Sequence, residues 1–106
     1  MSDTLEGIAV SRVEGGDPVR VRYAISGRMN VSEYLDFIVE RADWLAIDGW
    51  ASADDQGRVT LVAAGPEALV GALEMACTLG PLTALVESIL AEDESAEVGS
   101  GFALRS

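Results

Sequence analysis

Arginine and carboxylate side chains are the groups of this chain that could carry out chemistry, because its 106 residues include no histidine and one cysteine. The candidate positions are Arg28, Asp36, Arg41, Asp54 and Asp55. Carboxylates act as acids or bases and hold Mg²⁺ or Ca²⁺, and arginine binds phosphate. Asp54 and Asp55 also fit an ordinary turn, and the other three fit solvated positions beside a turn or on a helix.

The missing histidine excludes whole classes of catalytic site. A Ser-His-Asp or Cys-His centre and the usual zinc sites need an imidazole. Cys77 alone forms neither an internal disulfide nor an all-cysteine zinc site, and its apolar neighbours predict a small buried side chain. We therefore expect no cofactor and no metal. A single cysteine also fits a reducing cytoplasm, where we expect the protein to act.

The charge and the apolar runs indicate which partners to expect. Eighteen acidic residues against seven arginines give a formal net charge of −11, which repels nucleic acid and favours a basic partner whose binding weakens with salt. Glu74, Gly80-Pro81 and Glu87 interrupt the longest apolar run, so we expect no membrane contact. The acidic N-terminal residues do not have the pattern of a secretory signal. The length predicts one domain, as a monomer or a homodimer.

Hydrophobic patterns predict the elements that must position these side chains. Apolar and polar residues alternate over 19–26, which predicts a strand that ends at Gly27. Spacings of three and four from Asn30 to Leu45 predict a helix that either Asn30 or Ser32 caps. A hairpin follows, with a short strand over 48–51, a turn over 54–57 and a strand over 58–64.

The second half of the chain repeats the helix and strand pattern. Gly65-Pro66-Glu67 opens a helix with proline in its first turn, and Gly80-Pro81 ends it. A strand over 83–90, a solvated acidic loop (Glu92, Asp93, Glu94, Glu97) and a short strand over 101–105 follow. The order predicts an α+β fold, a ferredoxin-like two-layer sandwich (βαββαβ) with two helices on one face of an antiparallel sheet.

The N-terminal residues stand outside this pattern. We expect an N-terminal extension over 1–17 and one domain over 18–106. Residues 8–13 alternate and precede a glycine-rich turn, so they form either an added edge strand or a frayed terminus.

Short motifs in a fixed order resemble the acylphosphatase family. They are Val19-Arg20-Val21-Arg22-Tyr23, Ser26-Gly27-Arg28, Gly49-Trp50, Gly57-Arg58-Val59, Gly65-Pro66, Gly80-Pro81 and Gly101-Phe102. The resemblance covers about residues 19–105 and implies the same ferredoxin-like sandwich. It also implies metal-free hydrolysis of acyl phosphates, in which the amides of a glycine-rich loop and an arginine hold the phosphate and an asparagine orients the attacking water.

The positions that the resemblance makes functional carry other residues here. Leu35 stands at the position of the phosphate-binding arginine, and Ala53 at that of the asparagine. Val31 and Glu33 replace the two loop glycines, which restricts the backbone conformations that direct amides at an anion. The altered loop and the start of the following helix comprise Met29, Asn30, Val31, Ser32, Glu33 and Tyr34. We expect Glu33, with Asp36, to occupy the positive helix end internally.

Three functions fit this sequence. One is a domain without hydrolase activity that binds either a protein at the open edge of its sheet or a small ligand at Met29, Tyr34, Leu35 and Ala53. The second is a divergent acylphosphatase. The third is a subunit of a larger complex, with Trp44 as an interface residue and Trp50 as a packing residue.

Overall fold

A computed structural model describes residues 16–105 of the chain. Its elements are strand β1 (Pro18–Arg28), helix α1 (Val31–Trp44), strands β2 (Asp48–Ala53) and β3 (Val59–Pro66), helix α2 (Glu67–Leu79), and strands β4 (Leu85–Asp93) and β5 (Phe102–Leu104). The predicted order of strands and helices is confirmed.

The five strands form one sheet in the order β4-β1-β3-β2-β5. Neighbours among the first four strands run antiparallel, as predicted, whereas β5 pairs parallel to β2 through Gly49 and Phe102. The sheet is therefore mixed rather than antiparallel throughout. Both edges of the described sheet are strands from the last quarter of the chain, β4 on one side and β5 on the other.

The core lies between the sheet and the two helices. Alternation on β1 turns Tyr23 and Ile25 inward, and the three-and-four spacing on α1 turns Tyr34, Ile38 and Ala42 toward them. Other fully buried side chains of this core include Ile47, Val59, Leu61, Val70, Leu73 and Cys77. The prediction that Cys77 is a small buried side chain is confirmed.

Two close contacts explain why glycine occupies particular strand positions. A Cβ at Gly49 would lie 1.9 Å from the backbone oxygen of Val62, and φ at Gly49 is +142°. A Cβ at Gly27 would lie 2.2 Å from the backbone oxygen of Leu85, at the irregular step where β1 meets β4. Both glycines therefore allow neighbouring strands to approach.

The fourth strand is longer and later than the predicted 83–90. It begins at Leu85 because Pro81 and Ala84 form a turn, in which the Ala84 amide donates to the Pro81 carbonyl over 2.9 Å. It continues to Asp93 because Glu92 and Asp93 pair with Arg22 and Val21 on β1. The prediction that the acidic run is entirely a loop is therefore wrong for its first two residues.

The helix ends also differ in detail from the prediction. Pro66 is the last residue of β3 and the N-cap of α2, not a first-turn residue, and its side chain makes no capping hydrogen bond. The Glu67 amide instead donates to the Asp17 carbonyl over 3.0 Å. The possible strand over 8–13 lies outside the described residues. None of the helices in residues 16–105 has the length and apolar character needed to cross a membrane.

Candidate functional site

The start of α1 is the segment that the sequence singled out, and its backbone is capped from within. The Asn30 side chain accepts a hydrogen bond from the Glu33 amide over 3.0 Å, and the Asn30 carbonyl accepts from Tyr34 over 2.9 Å. Asn30 rather than Ser32 is therefore the N-cap. One of the free amides that a helix start offers to an anion is already bonded to a side chain.

Glu33 brings a negative charge to the same helix end. Its carboxylate accepts a hydrogen bond from the Thr83 hydroxyl over 2.8 Å, which joins α1 to the loop before β4. The carboxylate thus binds a hydroxyl group from a distant segment, while its position in the first turn still opposes the helix dipole. Asp36 is exposed, one turn further along the helix. Both charges disfavour an anion at this end.

Leu35 and Ala53 are half-buried and pack against the hydrophobic core, as does Met29. Ala53 follows the fully buried Ala51 on the same face of β2. Val31 lies beside the turn between β2 and β3, since its Cγ2 is 3.5 Å from the position that a Cβ at Gly57 would occupy. These positions therefore present hydrocarbon rather than polar groups.

Tyr34 does not line an opening, so the expectation that it contributes to a ligand site is corrected. Its side chain is fully buried, and its hydroxyl donates to the Cys77 carbonyl over 2.7 Å. Burial raises the pKa of Tyr34 and raises the pKa of Cys77 to about 12. Tyr34 joins α1 to α2, and the Cys77 thiol is held in its neutral form.

The turn between β2 and β3 holds Asp54, which is a structural residue. Its Oδ1 accepts from the amides of Gln56 and Arg58, each over 2.9 Å, and its Oδ2 accepts from the Arg58 Nε over 2.9 Å. The Arg58 amide and the other hydrogen bonds lower the pKa of Asp54. Asp55 beside it is exposed. Among residues 16–105, no three acidic or thiol side chains cluster as metal ligands would.

The remaining sequence candidates are engaged at the surface. Arg28 is 84% exposed and lies 3.9 Å from Glu87. Arg41 stacks on the rings of Phe37 and Trp44, with its guanidinium carbon 5.1 and 5.2 Å from their centroids. The structure therefore does not bring the candidate arginines and carboxylates together into one centre.

Sequence reasoning missed a cluster on the open face of the sheet. Trp50 lies there under two guanidinium groups, Arg105 at 4.5 Å and Arg22 at 5.6 Å from its ring centroid. Arg22 also forms a 2.7 Å ion pair with Glu94, whose backbone carbonyl accepts from Arg20. Trp50 packs against these side chains on the open face rather than in the core, because alternation on β2 turns Ala51 inward and Trp50 outward.

A shallow depression of about 670 Å³ lies on the same open face. Small side chains form its floor, and the Asp54–Arg58 pair forms one wall. The floor residues are Ala24, Ser26, Ser52, Thr60 and Ser88. None of the floor residues is charged. The signal for this surface was the alternation of β1, which places arginine and small residues together on one side.

The sheet order, the two helices on one face and the glycine contacts define a two-layer α/β sandwich of ferredoxin-like topology. A sequence profile of the acylphosphatase family matches residues 21–104. An acylphosphatase of Rubrobacter xylanophilus is 38% identical over 87 residues, which are 81% of this chain and 79% of that protein. The chain therefore belongs to the acylphosphatase family.

Solved structures agree with this assignment. An acylphosphatase from Coxiella burnetii superposes with a TM-score of 0.78 at 25% identity, covering 84% of this chain and 94% of that one. Full-length HypF, solved in a phosphate- and nucleotide-bound form, matches with a TM-score of 0.73 at 12% identity, over 85% of this chain and 12% of that one. In that larger protein the same fold is one part of a long chain.

Proposed function

We propose that this protein is an acylphosphatase-family domain that does not hydrolyse acyl phosphates and instead binds a protein partner. The observation that carries the proposal is the internal closure of the α1 start. Asn30 occupies an amide, Glu33 places a carboxylate in the first turn, and Leu35 packs hydrocarbon against the core.

The expected loss of rate is large. An arginine that stabilises a transferring phosphoryl group contributes on the order of 10³ to 10⁵ in rate. One positioned polar group contributes on the order of 10² to 10³. The two factors do not simply multiply, yet even the smaller one brings hydrolysis near the uncatalysed rate. Leu35 and Ala53 supply neither group.

A protein is a better partner for this domain than a small ligand at the altered loop. Among the loop residues, Tyr34 is buried and Asn30 and Glu33 already bind each other, so a ligand would compete with existing contacts. Exposed apolar side chains lie elsewhere, including Trp44 at 79%. Because of the acidic charge, we expect the protein to bind neither nucleic acid nor membranes. We also expect it to act in the cytoplasm, as a monomer or a homodimer.

Divergent acylphosphatase activity is the second candidate function. The observation that favours it is the identity of the relatives, since those that share 31–38% of their residues with this chain are named acylphosphatases. In this case the open-face arginines or the Asp54 turn would have to replace the missing groups.

Hydrolysis of benzoyl phosphate separates the two candidates. We expect the natural protein to match the buffer rate, with and without Mg²⁺, and the Leu35→Arg/Ala53→Asn variant to hydrolyse the substrate measurably faster. Leu35→Gln/Ala53→Asn is the matched control, because it adds polarity without the charge. Turnover by the natural protein at least a hundredfold above buffer would establish the second function instead.

A further inference from the structure

A groove runs between α2 and β4 on the helix side of the sheet. It has a volume of about 360 Å³, and its floor is apolar, formed by Val19, Val21 and Tyr23 of β1 together with Val70 and Ala91. We call it the α2–β4 groove. It is separate from the α1 start and from the depression on the open face, since it shares no lining residue with either.

The residue that keeps this groove open is Gly71. It lies on the face of α2 that lines the groove, between Glu67 and Glu74, and a Cβ built there meets no atom within 4 Å. Glycine in a helix interior is unfavourable compared with alanine. Neither a close approach nor a positive φ requires glycine at this position. Its effect on the surface is to leave empty volume above the apolar floor.

One wall of the groove is an edge strand. In the described sheet β4 pairs only with β1, so its outer backbone groups have no partner strand. Leu85 and Leu90 on this strand are 59% and 68% exposed. An exposed edge of nine residues can accept an added strand through its backbone groups, with alternate side chains entering the neighbouring groove.

The rim of the groove is acidic. It carries Glu67 and Glu74 from α2 and Asp93 from β4 on the helix side, and Glu92, opposite Arg22, at the open-face side of β4. Among the described residues no arginine lines the groove. Within residues 16–105 none of these four carboxylates forms an ion pair. Glu74 accepts a hydrogen bond from the Tyr23 hydroxyl over 3.1 Å, which leaves its charge uncompensated.

This charge selects the occupant. A second copy of the chain added at the same edge would bring no cation to the rim, because β4 contains three carboxylates and no arginine. A basic strand would compensate the carboxylates of the rim. Because side chains alternate between the two faces of a sheet, its cations would point to the helix side and its apolar side chains to the open face, beside the exposed Leu90.

We propose that the α2–β4 groove binds an extended segment of a partner protein in which arginine or lysine alternates with apolar residues, and that this segment adds to the sheet beside β4. The proposal rests on the interaction role given above and names its surface and the chemistry of its partner. The segment's backbone bonds β4. Its cations point to the helix side, where their hydrocarbon stems lie over the space at Gly71 and their charges meet the acidic rim. Its apolar side chains lie on the open face beside Leu90.

The test uses a capped peptide of alternating arginine and valine, titrated into the isotope-labelled full chain and followed by NMR. A peptide of the same composition with its arginines and valines in separate blocks controls for charge alone. We expect the alternating peptide to bind at least tenfold more tightly than the block peptide at 150 mM salt. The largest shifts are expected at Gly71 and at Ala91–Asp93.

Two variants locate the binding surface. Gly71→Trp places a large side chain at the groove, from a Cβ position that meets no atom within 4 Å, and is expected to weaken peptide binding at least tenfold. Ala72→Trp, one residue away on the exposed helix surface, is expected to change it less than twofold. Glu92→Arg/Asp93→Arg is expected to weaken binding at least tenfold. Asp36→Arg/Glu40→Arg changes the net charge equally on α1 and is expected to have less than threefold effect.

Each other outcome overturns the proposal in a distinguishable way. Equal binding of both peptides, or no effect of Gly71→Trp, shows that the groove does not select a strand. Shifts confined to the open face, with none at Gly71, place the interaction there and leave the interaction role standing. If Gly71→Trp abolishes a dimer, or shifts the amides of residues 8–13 without peptide, the occupant is a second copy or the chain itself. Hydrolysis of benzoyl phosphate is measured separately, so a failed groove does not decide the loss of activity.

Discussion

The start of α1 and the α2–β4 groove use polar and apolar groups in opposite ways. At the α1 start, the Glu33 amide donates to Asn30 and its carboxylate accepts from Thr83, and Leu35 packs against the core. In the groove, among the described residues, the carboxylates form no ion pair and the apolar floor has no cover. A region whose groups are satisfied internally has little left to offer a ligand, whereas the second region has uncompensated charge and uncovered surface.

The two regions also differ in their relation to the function of the family. The first region corresponds to the loop that the family resemblance makes catalytic, and here it fastens α1 to α2 and to the loop before β4. We infer that contacts made by these residues stabilise the fold in place of holding a substrate. Point variants in each region measure how much that region contributes to the free energy of unfolding.

Tyr34→Ala is expected to have the largest effect. It removes a fully buried ring and its hydrogen bond to the Cys77 carbonyl, so the free energy of unfolding should fall by about 3–5 kcal/mol. Urea unfolding followed by tryptophan fluorescence measures this change. Tyr34→Phe keeps the ring and is expected to cost about 1–3 kcal/mol through the unpaired carbonyl. A loss below 1 kcal/mol for Tyr34→Ala would mean that the α1 start is not fastened through this residue.

Asn30→Ala tests the cap that closes the helix start. The variant loses the acceptor for the Glu33 amide, and we expect it to reduce the free energy of unfolding by about 1 kcal/mol. Ser32→Ala is the matched control, because Ser32 is exposed and is not the cap. Equal stabilities of the two variants would contradict the assignment of Asn30 as the cap.

Local pattern was sufficient for most of the fold but not for the use of each side chain. Alternation in β1 and helical spacing in α1 predicted both elements, because one face of each is buried. The extension of β4 to Asp93 depends on pairing with β1 across about 70 residues of sequence, which no local pattern contains. Tyr34 and Trp50 were misplaced for the same reason: each side chain's environment depends on which face its element turns to a distant neighbour.

The candidate sites, too, could be predicted only in part from the sequence. The replaced positions Leu35 and Ala53 were readable from the order of the motifs, and their apolar packing agrees with their residue types. The α2–β4 groove was not readable, because its walls come from the first strand, the second helix and the fourth strand. Gly71 was its one sequence signal, as a glycine inside an otherwise helical pattern.

Gly71→Ala is expected to stabilise the protein, in contrast to the losses at the α1 start. The added methyl group meets no atom within 4 Å, and alanine is favoured over glycine in a helix interior by about 1 kcal/mol. Urea unfolding should therefore show a gain of about 0.5–1 kcal/mol. Gly65→Ala serves as a control at a strand position, where the new Cβ would contact Ile47 and Val70. A destabilised Gly71→Ala protein would show that the groove is already filled in solution.

Asp54→Asn is expected to have the smallest effect, which should depend on pH. The hydrogen bonds from Arg58 and Gln56 lower the pKa of Asp54 in the folded protein, so the unfolded state binds its proton more tightly. The stabilisation from the carboxylate is therefore complete above the unfolded pKa of about 3.9, declines as the pH falls below it, and is lost below the folded pKa.

Urea unfolding of Asp54→Asn and the natural protein between pH 7 and pH 2.5 measures this dependence. The natural protein should be the more stable of the two at pH 7. The difference in the free energy of unfolding should become smaller as the pH falls below about 4, because Asp54 then becomes protonated. Asp55→Asn makes the same change of charge at a neighbouring exposed side chain that receives none of the Asp54 hydrogen bonds. If both variants show the same pH dependence, general charge repulsion accounts for it. If only Asp54→Asn shows it, the β2–β3 turn beside Val31 depends on this carboxylate. The region whose polar groups are satisfied internally then includes this turn as well as the start of α1.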